Sequence, residues 1–133
     1  MNNLNELRDK IHENARAKGF YEYEYAFLGV DKNIMHALFA QKIALIHSEL
    51  SEALEADRKN KRASGLTGVI DEKGNFDKIW FENYIKNTIE DKLADAIIHI
   101  LDLCGWLGID VQQHVELKMR YNQSCEHKHV EEY

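Results

Sequence analysis

No proline interrupts the 133 residues of this chain, and its seven glycines stand at positions 19, 29, 65, 68, 74, 105 and 108. Proline and glycine are the residues that break helices, so the stretches between these positions can run as long helices and the chain reads as all-α. A first amphipathic helix is expected from about Asn3 to Lys18, with Leu4, Leu7, Ile11 and Ala15 on one side and Gly19 as its stop. The second and longest spans about Asn33 to Lys61, with Phe39, Ile43, Ile46, Leu50 and Ala53 as one core seam. A third runs from about Trp80 to Leu107 with Ile89, Leu93, Ile97, Ile100 and Cys104 on one side, flanked by Ile98 and Leu101. A fourth covers about Val111 to Asn122. Ala63 to Lys78 carries three glycines and the turn-like Asp71-Glu72-Lys73-Gly74-Asn75, and reads as a mobile loop or small hairpin. Phe20 to Val30 is aromatic and acidic, and is either a loop covering part of the bundle or a wall for base stacking.

Length predicts a single domain over residues 1–133. The 23 acidic against 17 basic residues give a net charge of −6, which argues against a nucleic-acid surface held by phosphate contacts. The short basic run Arg58-Lys59-Asn60-Lys61-Arg62 closes the second helix, where cations favour the helix dipole, and local contact with phosphate stays open. No apolar run is long enough for a bilayer and no secretory signal is recognisable, so a cytoplasmic protein with no membrane partner is expected. Cys104 and Cys125 have neither disulfide-framework nor zinc spacing and read as free thiols. The apolar arcs of the second and third helices exceed what one short partner covers, which predicts a homo-oligomer, at least a dimer, with a tetramer as the alternative.

Glu49 and Glu52, within His47-Ser48-Glu49-Leu50-Ser51-Glu52-Ala53, lie one helical turn apart on one face. The same stripe carries Leu38, Leu45, Ala53 and Ala56, with Ile46 beside it, so both acids should point towards packed surface. Two like charges there need a counter-charge, and a divalent cation is the simplest one. Mg²⁺ suits carboxylate oxygens and takes further oxygens from phosphates. An acidic helix by itself is most often a solvated face; the second acidic stretch, Glu90-Asp91-Lys92-Leu93-Ala94-Asp95, makes a shared site across a bundle reasonable. His47 and His99 show no zinc spacing, Trp80 and Trp106 read as core or interface anchors, and Asp102 as a polar-stripe residue beside Asp95.

The segments Ser48-Glu49-Leu50-Ser51-Glu52-Ala53-Leu54-Glu55-Ala56, Ala94-Asp95-Ala96-Ile97-Ile98 and Lys118-Met119-Arg120-Tyr121-Asn122 resemble the MazG-like all-α nucleoside triphosphate pyrophosphohydrolases, over nearly the whole chain. The resemblance implies a four-helix MazG-like bundle completed by homo-oligomerisation. It also implies an E-x-x-E and a later E-x-x-D motif holding Mg²⁺, or Mn²⁺, against a triphosphate. Glu49, Glu52 and Asp95 match three of those four acids, as catalytic and metal-binding residues. The fourth position is Lys92, which would lower metal affinity unless the neighbouring Asp91 supplies an oxygen. Lys118 and Asn122 would hold phosphate oxygens and Tyr121 would pack near base or sugar, with Lys128 and Lys92 as further substrate contacts. The tail departs from the family in having Cys125 and Lys128-His129-Val130-Glu131, so one expected phosphate-binding charge is missing. The implied reaction is Mg²⁺-dependent hydrolysis of a nucleoside triphosphate, deoxy or non-canonical ones included, to the monophosphate and pyrophosphate. The alternative is a catalytically impaired homologue that binds nucleotide or a protein partner.

Overall fold

A computed structural model describes residues 3–22 and 31–125. Most of the expected Phe20–Val30 loop and the tail containing Lys128 and His129 lie outside these residues. The described residues are all-helical: α1 (Leu4–Ala17), α2 (Lys32–Arg58), a 3₁₀ turn (Leu66–Gly68), α3 (Lys78–Tyr84), α4 (Ile89–Leu107) and α5 (Val111–Ser124). Among them, none is long and apolar enough to cross a membrane.

The helix ends follow from local chemistry. Asn3 accepts the Glu6 N–H at 2.9 Å at the start of α1. At the other end Gly19, at φ 83°, lets the Phe20 N–H reach back to the Ala15 carbonyl at 3.1 Å. The same closure ends α2, where Asn60 takes the left-handed conformation at φ 54° and the Lys61 N–H bonds the Ala56 carbonyl at 2.9 Å.

The single third helix expected from Trp80 to Leu107 is instead two helices, α3 and α4, separated at residues 85–88. Asn87 sits at φ 63°, and the Thr88 hydroxyl donates to the Ile85 carbonyl at 2.6 Å while accepting the Asp91 N–H at 3.2 Å. Asp91 in turn accepts the Asn87 N–H at 2.8 Å. This is a capping arrangement over Asn87-Thr88-Ile89-Glu90-Asp91 that an apolar count reads straight through.

Residues 63–78 carry the 3₁₀ turn and an isolated antiparallel bridge between Ile70 and Phe76. Trp80 covers this segment: its indole N–H donates to the Gly65 carbonyl at 2.7 Å, and a Cβ built on Gly68 would lie 2.3 Å from its ring. A side chain at residue 68 therefore requires the Trp80 ring to shift.

The described residues fall into two compact units. The first holds those of 1–20 and 101–133. There α1 packs against α5, and Asn5 on α1 caps α5 by accepting the Val111 N–H at 2.9 Å. Arg8 donates to the Ile109 carbonyl at 2.6 Å, tying α1 to the corner between α4 and α5. Leu101, Leu103, Trp106 and Val111 are buried. So is His12, which meets Asp102 at 2.8 Å and leaves no room for a side chain at Gly105. Asp102 is thus a packed partner of a buried histidine rather than a member of a solvated polar stripe, because the first helix brings His12 to it.

The second unit holds the described residues of 21–100. Its buried residues on α2 are Leu38, Ile46, Ala53 and Ala56. The expected core seam is shifted: Phe39 and Leu50 are exposed, and the buried face is the stripe that carries Glu49. On α4 the expected apolar side is likewise open, with Leu93, Ile97 and Ile100 exposed and Ala96 buried. The side of α4 that turns inward in this unit carries Lys92, Asp95 and His99 around Ala96.

Candidate functional site

Ile46, Glu49, Ala53 and Ala56 follow one another at helical spacing, so the burial of the three apolar residues carries Glu49 inward with them. The Glu49 side chain is 18% exposed, whereas Glu52, one turn later at the edge of the stripe, is 54% exposed. The sequence expectation that both acids face packed surface therefore applies to Glu49 alone.

The counter-charge for these acids comes from the chain itself. Lys92 Nζ lies 3.1 Å from Glu52, 3.8 Å from Glu49 Oε2 and 3.8 Å from Asp95, and its side chain is 16% exposed. Three carboxylates from two helices thus surround one ammonium. Lys92 and Asp95 are one turn apart on α4, which is why both reach the same place. His99, a further turn along, brings Nε2 to 3.6 Å from Glu49 Oε1. It borders the acids despite having no metal-ligand spacing in the sequence.

The electrostatics of the cluster are uneven. Burial, then the adjacent Glu52 carboxyl, raise Glu49 above the ordinary glutamate range, and the Lys92 charge offsets only part of this. Glu52 is lowered, first by its bond to Lys92 and then by its bond to Glu49. Burial opposes the charge on Lys92, but Glu52, Glu49 and Asp95 together outweigh it and lift the ammonium above the usual lysine value. Of the paired glutamates, Glu52 gives up its proton more readily than Glu49.

The donors suit a hard divalent ion in kind, since all are carboxylate oxygens. Glu49 Oε2 is buried and has no hydrogen-bond partner among the described residues. Their present spacing is set by an ammonium: the gaps of 3.1 to 3.8 Å exceed the roughly 2.1 Å of a Mg²⁺–oxygen contact. Among the described residues no ready-made group of three or more metal-ligating side chains is assembled. Glu49, Glu52 and Asp95 are the carboxylates that could hold a divalent ion.

The remaining expected site residues are placed as follows. Asp91 is engaged at the start of α4, on the Asn87 N–H. Lys118, Tyr121 and Asn122 lie on α5 in the other unit, where the Lys118 ammonium sits 4.8 Å from the centre of the exposed Tyr121 ring. Lys128 is outside the described residues. Lys59 and Lys61, in the basic run that the sequence places at a helix end with local phosphate contact left open, line a groove with Lys92 and Glu52. Their signal was the basic run itself, which helix-dipole reasoning had already accounted for. No protein-family model, curated protein or solved structure matches the chain.

Proposed function

We propose that the chain is a MazG-like nucleoside triphosphate pyrophosphohydrolase, a cytoplasmic protein that cleaves a nucleoside triphosphate to the monophosphate and pyrophosphate in a Mg²⁺-dependent reaction. The observation that carries this reading is the convergence of Glu49, Glu52 and Asp95, from two helices, on a single cation position. An acidic face that merely solvates a helix has no reason to bury a carboxylate oxygen that makes no hydrogen bond among the described residues.

Glu49, Glu52 and Asp95 are the residues that would hold the ion. A divalent ion bound there supplies neutralisation of phosphate charge and a more acidic water. Glu52 stays ionised and accessible from solvent, while Glu49 anchors the set from the packed side. In the proposal Lys118 and Asn122 hold phosphate oxygens, and Tyr121 packs against base or sugar. The four-helix bundle completed in a dimer or tetramer belongs to the same proposal. The aliphatic side chains that α2 and α4 leave open, such as Leu54 at 65% and Ile97 at 53% exposure, support it.

The position of the Lys92 ammonium favours a second reading, a catalytically impaired homologue that binds nucleotide or a protein partner. The test is pyrophosphate release from a panel of canonical and modified nucleoside triphosphates, with and without Mg²⁺, alongside Lys92→Glu. Metal-dependent turnover by the native chain is the expected result. Silence from it together with turnover by Lys92→Glu supports the second reading, and silence from both overturns nucleotide hydrolysis.

A further inference from the structure

His99 is the member of the cluster that an arrangement centred on Lys92 leaves unused. It stands two turns beyond Lys92 on α4, and its Nε2 faces Glu49 Oε1 at 3.6 Å, whereas Lys92 approaches the other oxygen of Glu49, Oε2, at 3.8 Å. Each oxygen of this carboxylate therefore looks towards a different basic group. His99 makes no hydrogen bond among the described residues, and its partly exposed ring borders both the packed carboxylate and solvent.

The 3.6 Å separation distinguishes what can join the two atoms. A direct N–H···O bond needs about 2.9 Å, and a bridging water with two bonds of about 2.8 Å at its tetrahedral angle spans about 4.6 Å. A metal bonded to both atoms at about 2.1 Å spans about 3.0 Å at the right angle of an octahedral ion such as Mg²⁺, and about 3.4 Å at the tetrahedral angle of Zn²⁺. The tetrahedral span alone comes within the roughly 0.2 Å tolerance of a ligand pair. Donor chemistry agrees, since Mg²⁺ takes oxygen ligands, whereas imidazole suits the later transition ions. Asp95 supplies a third donor: it precedes His99 by four residues on α4, the spacing at which one helix face presents two ligands to one ion.

We propose that His99 Nε2 and Glu49 Oε1, with Asp95, form a site for a borderline divalent ion of the Zn²⁺ and Co²⁺ class, and that His99 makes the cluster select such an ion over Mg²⁺. The Lys92 ammonium keeps Glu52 and Glu49 Oε2, so lysine and ion occupy different sides of the same carboxylate. The proposal rests on the functional reading above, in which Glu49 and Asp95 bind metal, and deepens it by naming the ion bound most tightly and the residue that chooses it.

The experiment titrates the full metal-free chain with CoCl₂ in excess MgCl₂, following heat and the visible absorption of bound Co²⁺, and repeats it for His99→Ala and Lys92→Met. The native chain is expected to take up Co²⁺ despite the Mg²⁺. His99→Ala should lose one equivalent, or weaken it by at least about tenfold, with an altered absorption band and an unchanged response to Mg²⁺ alone. Equal Co²⁺ binding by native chain and His99→Ala, a parallel loss of Co²⁺ and Mg²⁺ binding, or Co²⁺ uptake by Lys92→Met alone overturns the proposal. Pyrophosphate release from nucleotide without a His99 effect on Co²⁺ binding sinks this inference and leaves the enzyme reading standing; Co²⁺ held through His99 without hydrolysis sinks only the enzyme reading.

Discussion

Replacing Lys92 by Met keeps an unbranched stem of similar length and removes the ammonium from among the three acids. Glu52 and Asp95 are 54% and 40% exposed, so water and salt screen most of what they gain from Lys92. The loss falls on Glu49, 18% exposed, which is left beside two other carboxylates with no ammonium among them. Stranding a fully buried charge costs about 3–5 kcal/mol. Residual exposure of Glu49, and its readiness to take a proton, reduce the expected cost at pH 7 to about 1–2 kcal/mol. For a chain of this length, at about 4 °C per kcal/mol, the melting temperature should drop by roughly 4–8 °C in metal-free buffer. Mg²⁺ should then do for the variant what the lysine does for the native chain. At ten times its dissociation constant the ion returns about 1.4 kcal/mol, whereas the native chain, its cation position filled, should respond weakly. Scanning calorimetry of both proteins in EDTA and in MgCl₂ decides the matter. A variant that melts with the native protein in EDTA, or an equal Mg²⁺ shift in both, refutes the view of Lys92 as the resident cation.

Glu49→Gln isolates the raised carboxyl. Folding tightens the hold of Glu49 on its proton, so its contribution is complete below the ordinary glutamate value and is lost as pH rises through the raised one. Gln does not titrate, and the melting temperature of the variant relative to the native chain should therefore climb as pH rises above the ordinary glutamate value of about 4.3; a variant that falls relative to the native chain over that rise contradicts the assigned direction. Gly68→Ala places a Cβ 2.3 Å from the Trp80 ring. Overpacking of this kind costs about 1–3 kcal/mol, and a thermal melt with an unchanged midpoint and unchanged tryptophan emission would show that the ring yields freely.

Helix type, number of long helices and most helix ends were legible from local signals, because caps and left-handed stops act within a few residues. Asn3 and Gly19 define α1 by their own chemistry. The break before α4 escaped notice because its signal is a capping pattern set inside an apolar run, where residues 85–88 look helical by periodicity. Periodicity also named the stripes of α2 and α4 without ranking them. Phe39 and Leu50, or Leu93 and Ile97, are as apolar as the residues that became buried.

By itself the sequence determined an all-helical chain without a membrane-crossing helix, two acidic turns, and a lysine standing where resemblance calls for an acid. Only the tertiary structure decided which side of each helix turns inward, because that depends on the area and shape available on a neighbouring helix, which no single segment encodes. That choice carried Glu49 in with Ile46 and Ala53, brought Lys92 and His99 to it, and set Lys59 and Lys61 against the start of α4. The residues of the site are separated by some forty positions in the chain, and their Coulomb interactions, which fall with distance and with solvent access, became strong enough to matter only once packing had placed them within 4 Å.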